Sequence, residues 1–83
     1  MIKDHRVIFE DDRVESMITT PDKKWLFAGS RKGHLKQISL KSQKVVHDYG
    51  KIHYQTISCL ETTRDSKWLI TGCYDMQAMI ISV

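Results

Sequence analysis

The feature that most constrains this chain is an internal repeat. Thr19-Thr20-Pro21-Asp22-Lys23-Lys24-Trp25-Leu26-Phe27-Ala28-Gly29-Ser30 returns 43 residues later as Thr62-Thr63-Arg64-Asp65-Ser66-Lys67-Trp68-Leu69-Ile70-Thr71-Gly72-Cys73. At the same offset Ile38-Ser39-Leu40 matches Ile81-Ser82-Val83, Val14 matches Ile57 and Met17 matches Leu60, with no gap. The 83 residues therefore hold two copies of one unit, 1–40 and 41–83.

Each unit reads as short antiparallel strands. β-branched and aromatic residues collect in brief runs that turn residues interrupt every several positions. Three strands, a, b and c, are expected over residues 14–19, 25–28 and 34–40, and again over 57–62, 68–71 and 77–83. Thr20-Pro21-Asp22-Lys23 and Thr63-Arg64-Asp65-Ser66 join a to b, because Pro presets φ and Asp hydrogen-bonds nearby backbone N–H groups in a tight turn. A fourth strand, d, is expected over residues 44–49 and matches the opening residues 2–8. The strand order is d-a-b-c-d-a-b-c, an all-β chain of two four-stranded antiparallel units.

With this period and four strands per unit, the chain resembles the Trp-Asp (WD) repeat family of β-propellers, whose repeats run to about 40–45 residues. Pro21-Asp22, Leu26, Gly29, Gly33 and Leu35 match the family pattern in the first repeat, and His53, Asp65, Leu69, Thr71-Gly72 and Asp75 match it in the second. Ile38 and Ile81 stand where the family carries its signature Trp, while Trp25 and Trp68 open strand b. The resemblance implies a buried Asp-His-Ser/Thr-Trp hydrogen-bond chain, in which each polar group satisfies the next. The second repeat retains His53, Thr71 and Asp75 of that network; the first has Glu10, Ala28, Lys32 and Ile38 at the four positions.

Composition narrows the function classes. Hydrophobic residues at 41% and charged residues at 28% suit a soluble globular protein, and no apolar run approaches the roughly 20 residues that span a bilayer. Met1-Ile2-Lys3-Asp4-His5-Arg6 lacks the apolar stretch of a secretory signal, so a cytoplasmic protein is expected. Cys59 and Cys73 are too few for a disulfide framework and too far apart for a CxxC motif; they are expected as buried, reduced thiols. The net charge of +3 permits attraction to acidic partners but is far from that of a nucleic-acid-binding tail.

Propellers close with about four to eight blades, and two cannot close a ring. A free pair would expose two apolar sheet faces and a strand edge. One solution is head-to-tail homo-oligomerisation, in which the opening strand d of one copy completes the final a, b and c of the next. Four chains would then give eight blades, and three would give six. The alternative is that these residues are an excerpt of a longer propeller.

His53, Thr71 and Asp75 have the residue types of a catalytic triad, but the resemblance places them in a buried structural network. His5, His34 and His47 have no metal-ligand spacing and are expected on solvated strands; the four glycines form no phosphate loop. No enzyme, cofactor or metal reading follows. The resemblance implies a non-catalytic protein-interaction scaffold that engages unidentified protein partners through its d–a and b–c loops. In the second repeat these loops carry Tyr54, Gln55, Tyr74 and Met76, residue types enriched at interface hot spots, and in the first they carry Glu10, Asp11, Asp12, Arg13, Arg31 and Lys32. The opposite end gathers Lys23, Lys24, Lys41, Lys44, Arg64 and Lys67, which supports an alternative function as an anion or nucleic-acid binder. The absence of interleaved aromatics weighs against nucleic acid.

Overall fold

The computed structural model describes Phe9 and residues 12–74 and 76–83. The outer strand expected over 2–8 lies outside these residues, as do His5, Glu10, Asp11 and Asp75. Seven strands are described: β1 (Val14–Thr19), β2 (Trp25–Ser30), β3 (His34–Ser39), β4 (Lys44–Lys51), β5 (Ile57–Thr62), β6 (Trp68–Cys73) and β7 (Ala78–Ser82). They form two antiparallel sheets, β1-β2-β3-β4 and β5-β6-β7. The described residues contain no helix long and apolar enough to cross a membrane.

The expected strand positions hold, with differences at the ends. β2 and β6 run past residues 28 and 71 to Ser30 and Cys73, because Gly29 and Gly72 stay in the ladder, opposite Leu35 and Ala78. β3 stops at Ser39, where the Gln43 N–H donates to the Ser39 carbonyl at 2.7 Å and closes the turn. β4 pairs with β3, so the boundary between residues 40 and 41 falls in a turn within the first sheet. A repeat counted from its outer strand thus spans two sheets.

Both first strands are bulged at the same place, between Val14 and Ser16 and between Ile57 and Cys59. Strand side chains alternate between faces, so the repeat-matched apolar positions 14 and 17, or 57 and 60, could not share a face without an extra residue. The bulge supplies it, and Ile57 and Leu60 are both buried. It also corrects the expectation of buried thiols: Cys59 is exposed, because it pairs with Gly72 on the face opposite Leu60, and Cys73 is half-buried with its thiol donating to the Gln55 carbonyl at 3.3 Å.

The core lies between the sheets. Phe27 and Leu35 of the first sheet meet Ile57, Leu60 and Leu69 of the second, with Ile18, Trp25, Tyr49, Ile52, Ile81 and Val83 around them. Fully burying each such large apolar side chain is worth about 1.5–3 kcal/mol. The outward faces are different. Phe27 is 0% exposed but its repeat equivalent Ile70 is 39% exposed, and Leu60 is 7% exposed but its equivalent Met17 is 60% exposed. Trp68, Ile80 and Cys59 accompany Ile70 on the second sheet's outer face. On the first sheet's outer face Ala28 and Ile38 are buried, and the exposure is at the rim, at Met17 and Val45.

Candidate functional site: the loop end of the two sheets

The β2–β3 turn of the first sheet is built into the segment that enters the second. Gly33 has φ +91° and a carbonyl that accepts the N–H groups of Ile52 at 3.0 Å and His53 at 3.3 Å. A Cβ at Gly33 would lie 2.0 Å from the His53 carbonyl oxygen, so only glycine fits this approach. The Thr56 hydroxyl donates to the Arg31 carbonyl at 3.0 Å and the Ser16 hydroxyl to the Ile57 carbonyl at 2.9 Å. These links leave the loops of both sheets side by side on one end.

Directly beneath the loops, His53 and Thr71 are buried, with Nε2 and Oγ1 2.8 Å apart in a shared hydrogen bond. The expected pair is therefore in contact, while the third member, Asp75, lies outside the described residues. Neither His53 nor Thr71 reaches solvent, so the imidazole and hydroxyl cannot meet a substrate in this arrangement.

A polar cluster that the sequence did not suggest stands at the same level of the first sheet. Asp12, with a side chain only 6% exposed, accepts hydrogen bonds from the Arg13 N–H at 2.9 Å, the Lys32 N–H at 3.1 Å and the Ser30 hydroxyl. Its second oxygen is 3.4 Å from His34 Nδ1, and the His34 N–H donates to the Ser30 hydroxyl at 2.9 Å. Burial raises the Asp12 pKa, but the Ser30, Arg13 and Lys32 hydrogen bonds and the nearby His34 outweigh it and hold the carboxyl below its ordinary value. His34, expected on a solvated strand, is half-buried against this carboxylate, whereas His47 is exposed and packs against the Tyr49 ring with centroids 4.2 Å apart. The first sheet thus ties its loop end together with Asp12, Ser30 and His34 where the second uses His53 and Thr71. No spacing in the sequence marks this cluster, since Asp12 is far from Ser30 and His34 along the chain and Ser30 lies outside the family's network positions.

The remaining loop candidates are on the surface. Tyr54, Gln55, Tyr74 and Met76 are exposed, Met76 almost completely, as are Arg31 and Lys32. Lys51 Nζ lies 6.0 Å from the Tyr54 ring centroid. The backbone fixes this surface through the Tyr74 N–H, which donates to Thr56 O at 3.4 Å, and the Met76 N–H, which donates to Cys73 O at 3.2 Å. Among the described residues no group of three His, Cys, Asp or Glu side chains could hold a metal ion. At the other end Lys23, Lys24, Lys41, Lys44, Arg64 and Lys67 are exposed as expected, but Trp25 lies among the first three.

The family model of the WD domain, G-beta repeat, matches residues 43–82. These residues are a WD repeat. The likeness in fold extends over most of the chain. The β-propeller domain of Myceliophteria thermophila Cps50 (Swd1) superposes with a TM-score of 0.78 over 87% of this chain at 22% identity. The RRP9 WD40 repeats superpose with a TM-score of 0.73 over 90% of it at 16% identity. The chain spans only 22% and 27% of the lengths of those two proteins. No curated protein matches the sequence. The two sheets thus have the all-β fold of WD-repeat propeller blades.

Proposed function

We propose that this chain supplies two blades of a larger WD-repeat propeller, and that the propeller is a non-catalytic scaffold for protein–protein interaction. The observation that carries the first part is the opposite burial of equivalent residues: Phe27 against Ile70, and Leu60 against Met17. A position that is core in one copy and solvent in the other calls for a further blade on each side. The loop end is then the partner-binding surface, with Tyr54, Gln55, Tyr74 and Met76 as contact residues and Arg31 and Lys32 beside them. His53 and Thr71 act as the structural network beneath that surface, and Asp75 is its third member by the family pattern. A cytoplasmic setting is part of the same reading, in keeping with Cys59 and Cys73 not being joined in a disulfide.

The missing blades have two possible sources. Spans of 22% and 27% of the matched propellers favour further chain beyond these residues. Head-to-tail copies, four for eight blades or three for six, are the second reading, supported by the β4 pattern recurring at residues 2–8, an outer strand that another copy could accept. Light scattering on the 83-residue chain after size exclusion tests both. A discrete trimer or tetramer supports the copies; aggregation or failure to fold supports further chain. A stable, monodisperse monomer refutes both, because the open faces would then be tolerated bare.

A further inference from the structure

The turn end of the first sheet carries a feature that the second sheet lacks. There the β1–β2 and β3–β4 turns meet, held together by the Leu40 N–H donating to the Lys24 carbonyl at 3.1 Å. Between them is a shallow cleft of about 410 Å³, lined by Lys23, Lys24, Trp25, Ser39, Leu40 and Lys41. Trp25 and Leu40 supply apolar wall, and the three lysines are exposed around it. Among the described residues no carboxylate lines the cleft. Asp22, the nearest acid in sequence, is engaged by its own turn: Oδ1 accepts the Thr20 hydroxyl at 2.5 Å and the Lys24 N–H at 3.0 Å. In the second sheet Ser66 and Val83 take the positions of Lys23 and Leu40, so the combination is not repeated.

We propose that this cleft docks an acidic peptide segment that offers one apolar side chain flanked by carboxylates. Its volume is at the small end of ligand pockets and suits one or two side chains, not a folded surface. The apolar wall takes the anchor, and the lysines around it take the charges. Lysines are point charges without the two-pronged geometry by which arginine selects phosphate. A single indole already packed on the core offers no row of platforms for stacked bases, which counts against single-stranded nucleic acid. The turns are also tightly built. The Ser42 N–H donates to Ser39 Oγ at 3.2 Å, and Lys23 is held at φ +61° by the turn that Asp22 closes. The cleft lies at the opposite strand ends from Tyr54 and Tyr74 and on neither open face, so it stands independently of the loop surface and of the source of the missing blades.

The test is fluorescence anisotropy of the protein with a labelled short peptide of Asp and Glu around one central Leu. The comparators are the same peptide with Ser for Leu and an oligouridylate of equal charge. The Leu peptide should bind most tightly, and the double variant Lys23→Glu/Lys41→Glu should weaken it about tenfold or more. Lys51→Glu, the same kind of charge reversal at the other end of the sheet, should change it by no more than about twofold. The exposed positions of Lys23 and Lys41 leave the fold intact, which the unfolding midpoint of the double variant verifies. Equal binding of the Leu and Ser peptides, an equal loss in Lys51→Glu, tighter binding of the oligouridylate, or no binding at all overturns the proposal.

Discussion

Replacing Gly33 by Ala tests whether the two sheets are locked together through the β2–β3 turn. Two penalties combine at this position. At φ +91° a β-carbon costs about 1–2 kcal/mol from backbone sterics alone. The added carbon would also lie 2.0 Å from the His53 carbonyl oxygen and 2.8 Å from its carbonyl carbon, and neither atom can swing aside as a side-chain tip could. Relief requires the β2–β3 turn to move away from residues 52 and 53. That loosens two hydrogen bonds to the Gly33 carbonyl, each worth about 0.5–1.5 kcal/mol net. The sum is a loss of about 2–5 kcal/mol, a large part of the roughly 5–15 kcal/mol that holds a typical domain folded. Gly50 provides the control. It too has positive φ, +73°, but its Cβ would meet nothing within 4 Å, so Gly50→Ala should cost only the backbone share of about 1–2 kcal/mol. Gly33→Asn separates the causes further, because asparagine tolerates left-handed φ yet still carries the offending carbon. Denaturant unfolding of the three variants gives the comparison. If Gly33→Ala and Gly50→Ala lose the same stability, or Gly33→Asn restores the wild-type value, the close approach to His53 is not what locks the turn.

Three further outcomes follow from the same geometry. Thr71→Val keeps the side-chain shape and removes the hydrogen bond to His53, and should destabilise by about 1–3 kcal/mol in denaturant unfolding, whereas Thr71→Ser should retain most of that stability. Asp12 has a folded-state pKa below its ordinary 3.8, so it stabilises the fold above that value and loses this contribution as pH falls through the lowered pKa. Asp12→Asn should accordingly make the loss of stability below about pH 4 shallower, but only in part, since Asp22 and Asp65 are shifted in the same direction by the Thr20 and Thr63 hydroxyls and the Lys24 and Lys67 amides. Ile80→Lys places a charge on the open face of the second sheet; self-association of the chain, read by light scattering, should fall, and unchanged association would mean that this face is not the contact.

The fold was legible because the repeat registers the turns as well as the strands. The Thr20-to-Trp25 turn and its Thr63-to-Trp68 copy even share their hydrogen bonds: Asp22 and Asp65 each accept from the threonine hydroxyl at 2.5 Å and from the following lysine N–H at 3.0 Å. His53 and Thr71 are both buried, as the resemblance to the family implied and the repeat alone did not, since Glu10 and Ala28 hold their places in the first copy. Asp12 with Ser30 and His34 was not legible, because the cluster depends on a turn folding back across the sheet end and no repeat partner marks it. Cys59 was misplaced because a buried, reduced thiol is the default expectation, whereas past the β5 bulge it pairs with Gly72 on the outer face. The cleft at Trp25 was legible in part: the turns placed Lys23, Lys24 and Lys41 at one end, but that the Trp25 ring and Leu40 wall a cleft among them depends on packing that spacing along the chain does not reveal.

The sheets are joined at both ends of their strands. At the loop end Gly33 accepts from Ile52 and His53, and at the turn end the Asp22 N–H donates to Ser66 Oγ at 3.1 Å. A pair fastened only at one end could open like a book; fastened at both, its wedge angle is set. In a ring that angle determines the curvature, so the number of blades is a geometric consequence of contacts made within one neighbouring pair. Loosening either fastening would then change how the circle closes before it changed any blade's own fold.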